Sequence, residues 1–164
     1  MPHYFGPSTL GKRHGAFGPD DEDGNARSER AAKVRRTVET IHQVYGTRQC
    51  MMQLSERRTV AANKLVRANV DVVVCTDGEH QLLDASGLAE SHYRVHEVDG
   101  DSRHLGFACH RVMLDLGGEF DWFVYLEDDL LFRDAMLFEK LAWFLDVAGE
   151  DAVLLPNRFE RMGT

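Results

Sequence analysis

DWFVYLEDDLLFRD, residues 121–134, passes through five apolar and aromatic residues, turns acidic at Glu127, Asp128 and Asp129, and becomes apolar again. Three adjacent carboxylates repel one another, and neither residue flanking the triplet is a cation. Water or a bound cation must offset that charge. The run 121–126 predicts a buried strand, which would place the acids against the edge of the core. Alternate side chains of an extended chain share a side, so Glu127 and Asp129 should face one way and Asp128 the other. Two converging carboxylates suit a hard divalent cation, Mn²⁺ or Mg²⁺, whose remaining positions go to water and to the phosphates of a substrate. The competing reading is a solvated turn. The apolar run ahead of the triplet favours the metal.

Outward from this stretch, the chain alternates strand and helix patterns. Ahead of it, Ser102 is positioned to cap a helix with Leu105, Cys109, Val112 and Leu116 on one stripe, ended by Gly117-Gly118. YRVHEV (93–98) alternates as a strand does. DVVVCT (71–76) is a β-branched run expected of a strand covered on both faces, followed by the turn signal Asp77-Gly78 and a short helix. QCMMQL (49–54) predicts another strand, and SERRTVAANKLVRAN after it is ambiguous. Val34, Val38, Ile41 and Tyr45 form a helical stripe that begins after Ser28 and closes at Gly46. Arg30, Lys33, Arg35 and Arg36 fall mostly off that stripe and read as a solvated face. On the other side, Asp134 can cap a helix with Leu137, Leu141, Phe144 and Leu145 on one face, and AVLLP (152–156) predicts a last strand. No internal repeat is present.

This order predicts an α/β fold, a mainly parallel sheet with flanking helices. Residues 1–27, rich in Gly, Pro and charge from residue 6 onward, are expected to be a mobile N-terminal segment, with PHYFG a stub of a first strand. Residues 28–164 are expected to form one domain. Ligands of such sheets bind beyond the carboxyl ends of the strands. That marks Thr76-Asp77-Gly78, Glu127-Asp128-Asp129 and Pro156-Asn157-Arg158 as candidate clusters.

Composition bounds the function. The 164 residues are 43% hydrophobic and 28% charged, ordinary for a globular domain. A formal net charge of −8 argues against nucleic acid or an anionic membrane as partner. Cys50, Cys75 and Cys109 are scattered, without a Cys-x-x-Cys pair, as expected of reduced thiols in the cytoplasm. No apolar run is long enough to predict a signal peptide or a membrane span.

The strand, the Glu-Asp-Asp triplet and the helix beyond it resemble the DxD-type motif of GT-A glycosyltransferases, in particular the N-acetylglucosaminyltransferase I type. The resemblance covers residues 102–144 well and 71–101 loosely. It implies a Rossmann-like GT-A nucleotide-sugar-binding half, a UDP-sugar donor, a glycan or other hydroxyl acceptor, and Mn²⁺ or Mg²⁺. It further implies that Asp129 ligates the metal. Glu127 and Asp128 would contact metal-bound water or the ribose. Asp77 would lie near the nucleoside, and Arg103 would meet the nucleotide as a cation. The plain alternatives are a Thr-Asp-Gly turn for Asp77 and an exposed first-turn side chain for Arg103. In that family the catalytic base follows the acidic motif at some distance. The stretch available after Asp129 is short, so the acceptor-binding half is expected to be missing. A donor-binding module that needs a partner chain is therefore the alternative function, and a different sugar-nucleotide-dependent transferase is a further one.

Other constellations are weaker. His92 and His96 have helical ligand spacing on a predicted strand, where they lie far apart. Cys75 has no evident base partner. Lys12-Arg13-His14 reads as a solvated loop, and Arg158 and Glu160 receive no role. No Gly-rich phosphate-binding motif occurs.

Overall fold

In a computed structural model, the residues described are 1–7, 24–46, 50–62, 68–149 and 151–160. Two compact units are present, Met1–Arg133 and Asp134–Thr164, where the sequence pattern predicts one domain over 28–164. The chain is mixed α/β, with one parallel and one antiparallel strand pair.

In the larger unit, α1 (Gly24–Tyr45) is followed by β1 (Cys50–Gln53) and β2 (Arg58–Ala61). Next come β3 (Val73–Thr76), the single-turn α2 (Leu83–Ser86), β4 (Arg94–Glu97) and α3 (Leu105–Asp115). β3 is the centre of the parallel arrangement. β4 pairs along one edge, with Val73 opposite Arg94 and Thr76 opposite Glu97. The first residues of the chain run along its other edge: Cys75 N–H donates to Met1 O, and His3 N–H donates to Cys75 O, both at 2.9 Å. Both edges of β3 are thus satisfied, and Val74, Cys75 and Thr76 are buried. Residues 1–5, grouped by the sequence pattern with the N-terminal loop segment, belong to this core layer, as the stub-strand reading of PHYFG anticipated.

α1 packs its predicted stripe onto this layer. Val34 and Val38 are fully buried with Val72, Val74, Leu83 and Leu88, and Ile41 packs against the same cluster. Each buried Val or Leu contributes about 1.5–3 kcal/mol. The helix starts at Gly24 instead of Ser28. It stops at Gly46, where a Cβ would lie 2.2 Å from the His42 carbonyl oxygen, so only glycine fits. α3 buries Leu105 and Cys109. Asp101 caps the short 3-10 turn Ser102–His104 ahead of it by accepting from Arg103 N–H, and α3 itself has no side-chain cap, from Ser102 or another residue.

Three expectations are corrected. SERRTVAANKLVRAN contributes β2, which closes an antiparallel hairpin with β1, so the pairing is less uniformly parallel than the alternation suggested. Residues 121–126 belong to no strand ladder among the described residues, and neither do residues 152–156. A strand needs a neighbour to take its N–H and C=O groups, and these two apolar runs have none in a ladder. Trp122, Phe123, Val124 and Tyr125 are 38–45% exposed, and Val153 and Leu155 are 79% exposed.

In the smaller unit, α4 (Leu137–Ala148) has Met136 at its N-cap position with no side-chain cap, and Asp134, expected to cap it, instead holds the turn just ahead. Met136 N–H donates to Asp134 Oδ1 at 3.0 Å, and Lys140 Nζ pairs with Oδ2 at 2.6 Å. The lysine holds the Asp134 carboxyl below the usual carboxylate range. No helix among the described residues is long and apolar enough to cross a membrane.

Candidate functional site

The acidic triplet lies in a turn, with Leu130 N–H donating to Glu127 O at 3.3 Å. Its three carboxylates have different fates. Asp128 is buried, while Glu127 and Asp129 are exposed. The first and third acids thus differ from the second, as alternation suggested, although the backbone is a turn.

Asp128 is a structural junction. One carboxylate oxygen is 2.5 Å from His3 Nδ1, and the other accepts a hydrogen bond from Arg30 Nη2 of α1. Its backbone oxygen accepts from Thr37 Oγ1 at 3.1 Å. The His3 ring is fully buried, and its Nε2 accepts from Leu82 N–H at 3.0 Å. That bond fixes the tautomer: Nε2 carries no proton, so Nδ1–H donates to Asp128. One carboxylate therefore ties the N-terminal segment, α1 and the end of the 121–126 run together. A buried anion is tolerated because both of its oxygens are satisfied, one by a guanidinium. Contact with ribose or metal-bound water, the role implied for Asp128, would require breaking this network.

Asp129 is different. Its carboxylate is less than half exposed and 3.6 Å from Arg30 Nη1, beyond hydrogen-bond distance. It lines a half-open cleft with Leu131 and with Lys33 and Arg36 of α1. Arg30, Lys33 and Arg36 follow one another at spacings of three, so they lie side by side on the helix. Arg35, on a different face, pairs with Glu39 at 2.8 Å. The basic residues read from sequence as a solvated face thus include two that line a cleft with an acid of the triplet. Nothing in the local pattern of α1 marks them, because the acid they meet is more than ninety residues away.

Asp77 lies at the carboxyl end of β3 and serves its own turn. Oδ1 accepts from His80 N–H at 2.8 Å, and Oδ2 is 2.9 Å from His80 Nδ1. Gly78, at φ +82°, supplies the left-handed residue of that turn. Arg103 is exposed and forked onto Asp101, with Nε 2.8–2.9 Å from both oxygens. The hydrogen bond and charge of Asp101 strengthen the guanidinium's hold on its proton. Among the described residues no hydrogen bond or ion pair joins Asp77 or Arg103 to the triplet. Arg158 and Glu160 are exposed and 3.5 Å apart. Lys12, Arg13 and His14 lie outside the described residues.

Tyr125, just ahead of the triplet, lies along α3. Its ring is 5.4 Å from that of His110, and its hydroxyl would be 3.1 Å from a Cβ at Gly106. Burial raises the phenol's pKa, with the charges of Cys109, Glu127 and Asp128 adding to the effect. Cys75 and Cys109 bring two buried thiols together between β3 and α3. The hydrogen bond from Cys109 and then burial push the Cys75 thiol up, so it is no ready nucleophile.

No group of three or more His, Cys, Asp or Glu side chains among the described residues is arranged to hold a metal. Asp129 and Glu127 offer at most two carboxylates, a donor set that suits a cation completed by water and ligand phosphates. No protein-family model, curated protein or solved structure matches the chain.

Proposed function

We propose that this chain binds a nucleotide sugar through a divalent cation, as a glycosyltransferase domain of the GT-A type or its donor-binding part. The observation that carries the reading is the split within the triplet. Asp128 anchors the turn internally and leaves Asp129 and Glu127 solvent-facing, with Asp129 beside two cationic side chains. A rigidly held turn with solvent-facing carboxylates is what a weakly chelated Mn²⁺ or Mg²⁺ requires, since the ligand's phosphates complete its shell. The cation would offset the charge that develops on the diphosphate when the sugar–phosphate bond breaks. UDP-sugars are the favoured donors and a hydroxyl group the acceptor.

A second reading, a donor-binding module that works with a partner chain, is favoured by the exposed apolar run Trp122–Tyr125. Turnover separates the two. The enzyme releases UDP from a UDP-sugar, whereas the module binds without releasing it.

Thermal unfolding with Mn²⁺ and UDP, GDP, CMP or ADP tests the reading. At a hundred times the dissociation constant a ligand stabilises by about 2.7 kcal/mol, on the order of 5–10 °C for a chain of this length. The expected result is a metal-dependent shift with one nucleotide that disappears in Asp129→Ala. A folded chain that no nucleotide shifts, with or without metal, would sink the proposal.

A further inference from the structure

We infer that Lys33 and Arg36 of α1 are the phosphate-binding side of the cleft whose metal side is Asp129, and that together they hold a diphosphate bridged by a divalent cation. This rests in part on the nucleotide-sugar reading but names a group that the acidic motif alone does not.

The argument begins with which cations are already committed. Arg30 is paired with Asp128, and Arg35 with Glu39. Lys33 and Arg36 have no hydrogen-bond or ion-pair partner among the described residues, and both line the cleft with Asp129 and Leu131. In a chain of net charge −8, two uncommitted cations side by side on one helix are available to an anion. Their stems start from a helix whose opposite face is locked into the core by Val34 and Val38, so their positions are held by packed backbone.

The cleft's own charge then selects the anion. Lys33 and Arg36 face the single carboxylate of Asp129 across the cleft, so its walls carry both signs of charge. A bare polyanion gains from Lys33 and Arg36 but is repelled by Asp129 in the same cleft. A divalent cation on Asp129 removes that repulsion and adds an attraction. The ligand is therefore one whose neighbouring phosphoryl groups can touch a metal and two cationic side chains at once: an inorganic or nucleoside diphosphate. Arg36 can take two phosphate oxygens with its planar fork, and Lys33 acts as a point charge.

Isothermal titration with inorganic pyrophosphate, in Mn²⁺ and separately in EDTA, tests this without a nucleoside or sugar. Pyrophosphate is expected to bind more tightly in Mn²⁺ and more weakly as ionic strength rises. Lys33→Gln and Arg36→Gln should each weaken binding about tenfold, the scale of one lost charged hydrogen bond. Arg35→Gln, already spoken for by Glu39, should leave it unchanged. Asp129→Asn should weaken binding in Mn²⁺ but not in EDTA, where removing the carboxylate relieves repulsion; a surface that merely attracts anions does not show this crossing. All four substitutions are at exposed positions, and unchanged unfolding midpoints would confirm that they fold. Absence of pyrophosphate binding, or equal losses in Arg35→Gln and the two cleft variants, would overturn the inference. The same titration with UDP and Mn²⁺ separates it from the broader reading. Pyrophosphate binding without UDP binding keeps the clamp and removes the nucleotide-sugar function. UDP binding indifferent to Lys33→Gln and Arg36→Gln does the reverse.

Discussion

Two apolar runs of similar appearance, DVVVCT at 71–76 and DWFVYL at 121–126, end in very different places. The first contains β3, bonded on one edge by β4 and on the other by the chain's first residues, with Val74 fully buried. The second belongs to no ladder among the described residues, and Val124 is 45% exposed. The first is rich in β-branched residues and the second in aromatic ones, and both kinds favour strands. The difference lies outside them. β3 has neighbours that arrive in register, whereas 121–126 is tethered through Tyr125 against α3 and through Asp128 beyond its end. Strand propensity measures readiness to pair, and a partner still has to be supplied.

Amide hydrogen exchange examines this contrast most directly. The Cys75 amide, bonded to Met1 O, should exchange only through near-global opening, slowed by a factor on the order of 10³ or more. The amides of Phe123 to Leu126 should exchange close to the unprotected rate. Slow exchange at 123–126 would mean that the run has a hydrogen-bonding partner in solution and would erase the contrast.

Asp128→Ala should cost about 3–5 kcal/mol in urea unfolding, because it strands the Arg30 guanidinium and the buried His3 ring. It should also free the 121–126 run from its tether. Asp129→Ala, at an exposed position, should cost under about 0.5 kcal/mol. Equal costs would mean that the two acids share one environment. Val74→Ala should lose about 2 kcal/mol for two buried methyls and the cavity they leave, against under about 0.5 kcal/mol for Val124→Ala. A cost at Val124 matching that at Val74 would place the second run in a packed interface.

Much of the local structure was legible. The stripes of α1 and α3 could be read from apolar spacing, and the stops of all three long helices from Gly46, Gly117 and Gly149, whereas the apolar face expected of α4 contains no buried residue. The Asp77 turn was legible because Thr-Asp-Gly carries its own turn chemistry, and the structure uses it that way. The sequence pattern grouped the three acids as one site and could not say which of them would be spent on the fold. That depended on His3 and Arg30, which lie 125 and 98 residues from Asp128 along the chain. For the same reason Lys33 and Arg36 passed as part of a solvated face until Asp129 stood opposite them.

From the sequence alone came the balance of charge, the helices with their apolar faces, the buried β3 run and a concentrated acidic turn. These depend on residues within one or two turns of each other, where backbone sterics and side-chain periodicity leave few choices. Tertiary structure decided that β3 would be paired on both edges and 121–126, among the described residues, on neither, that Asp128 would be buried, and that Asp129 would share a cleft with two uncommitted cations. Each of those outcomes requires segments distant in sequence to meet. The free energy of such a meeting belongs to the pair and its surroundings, and no local pattern carries it.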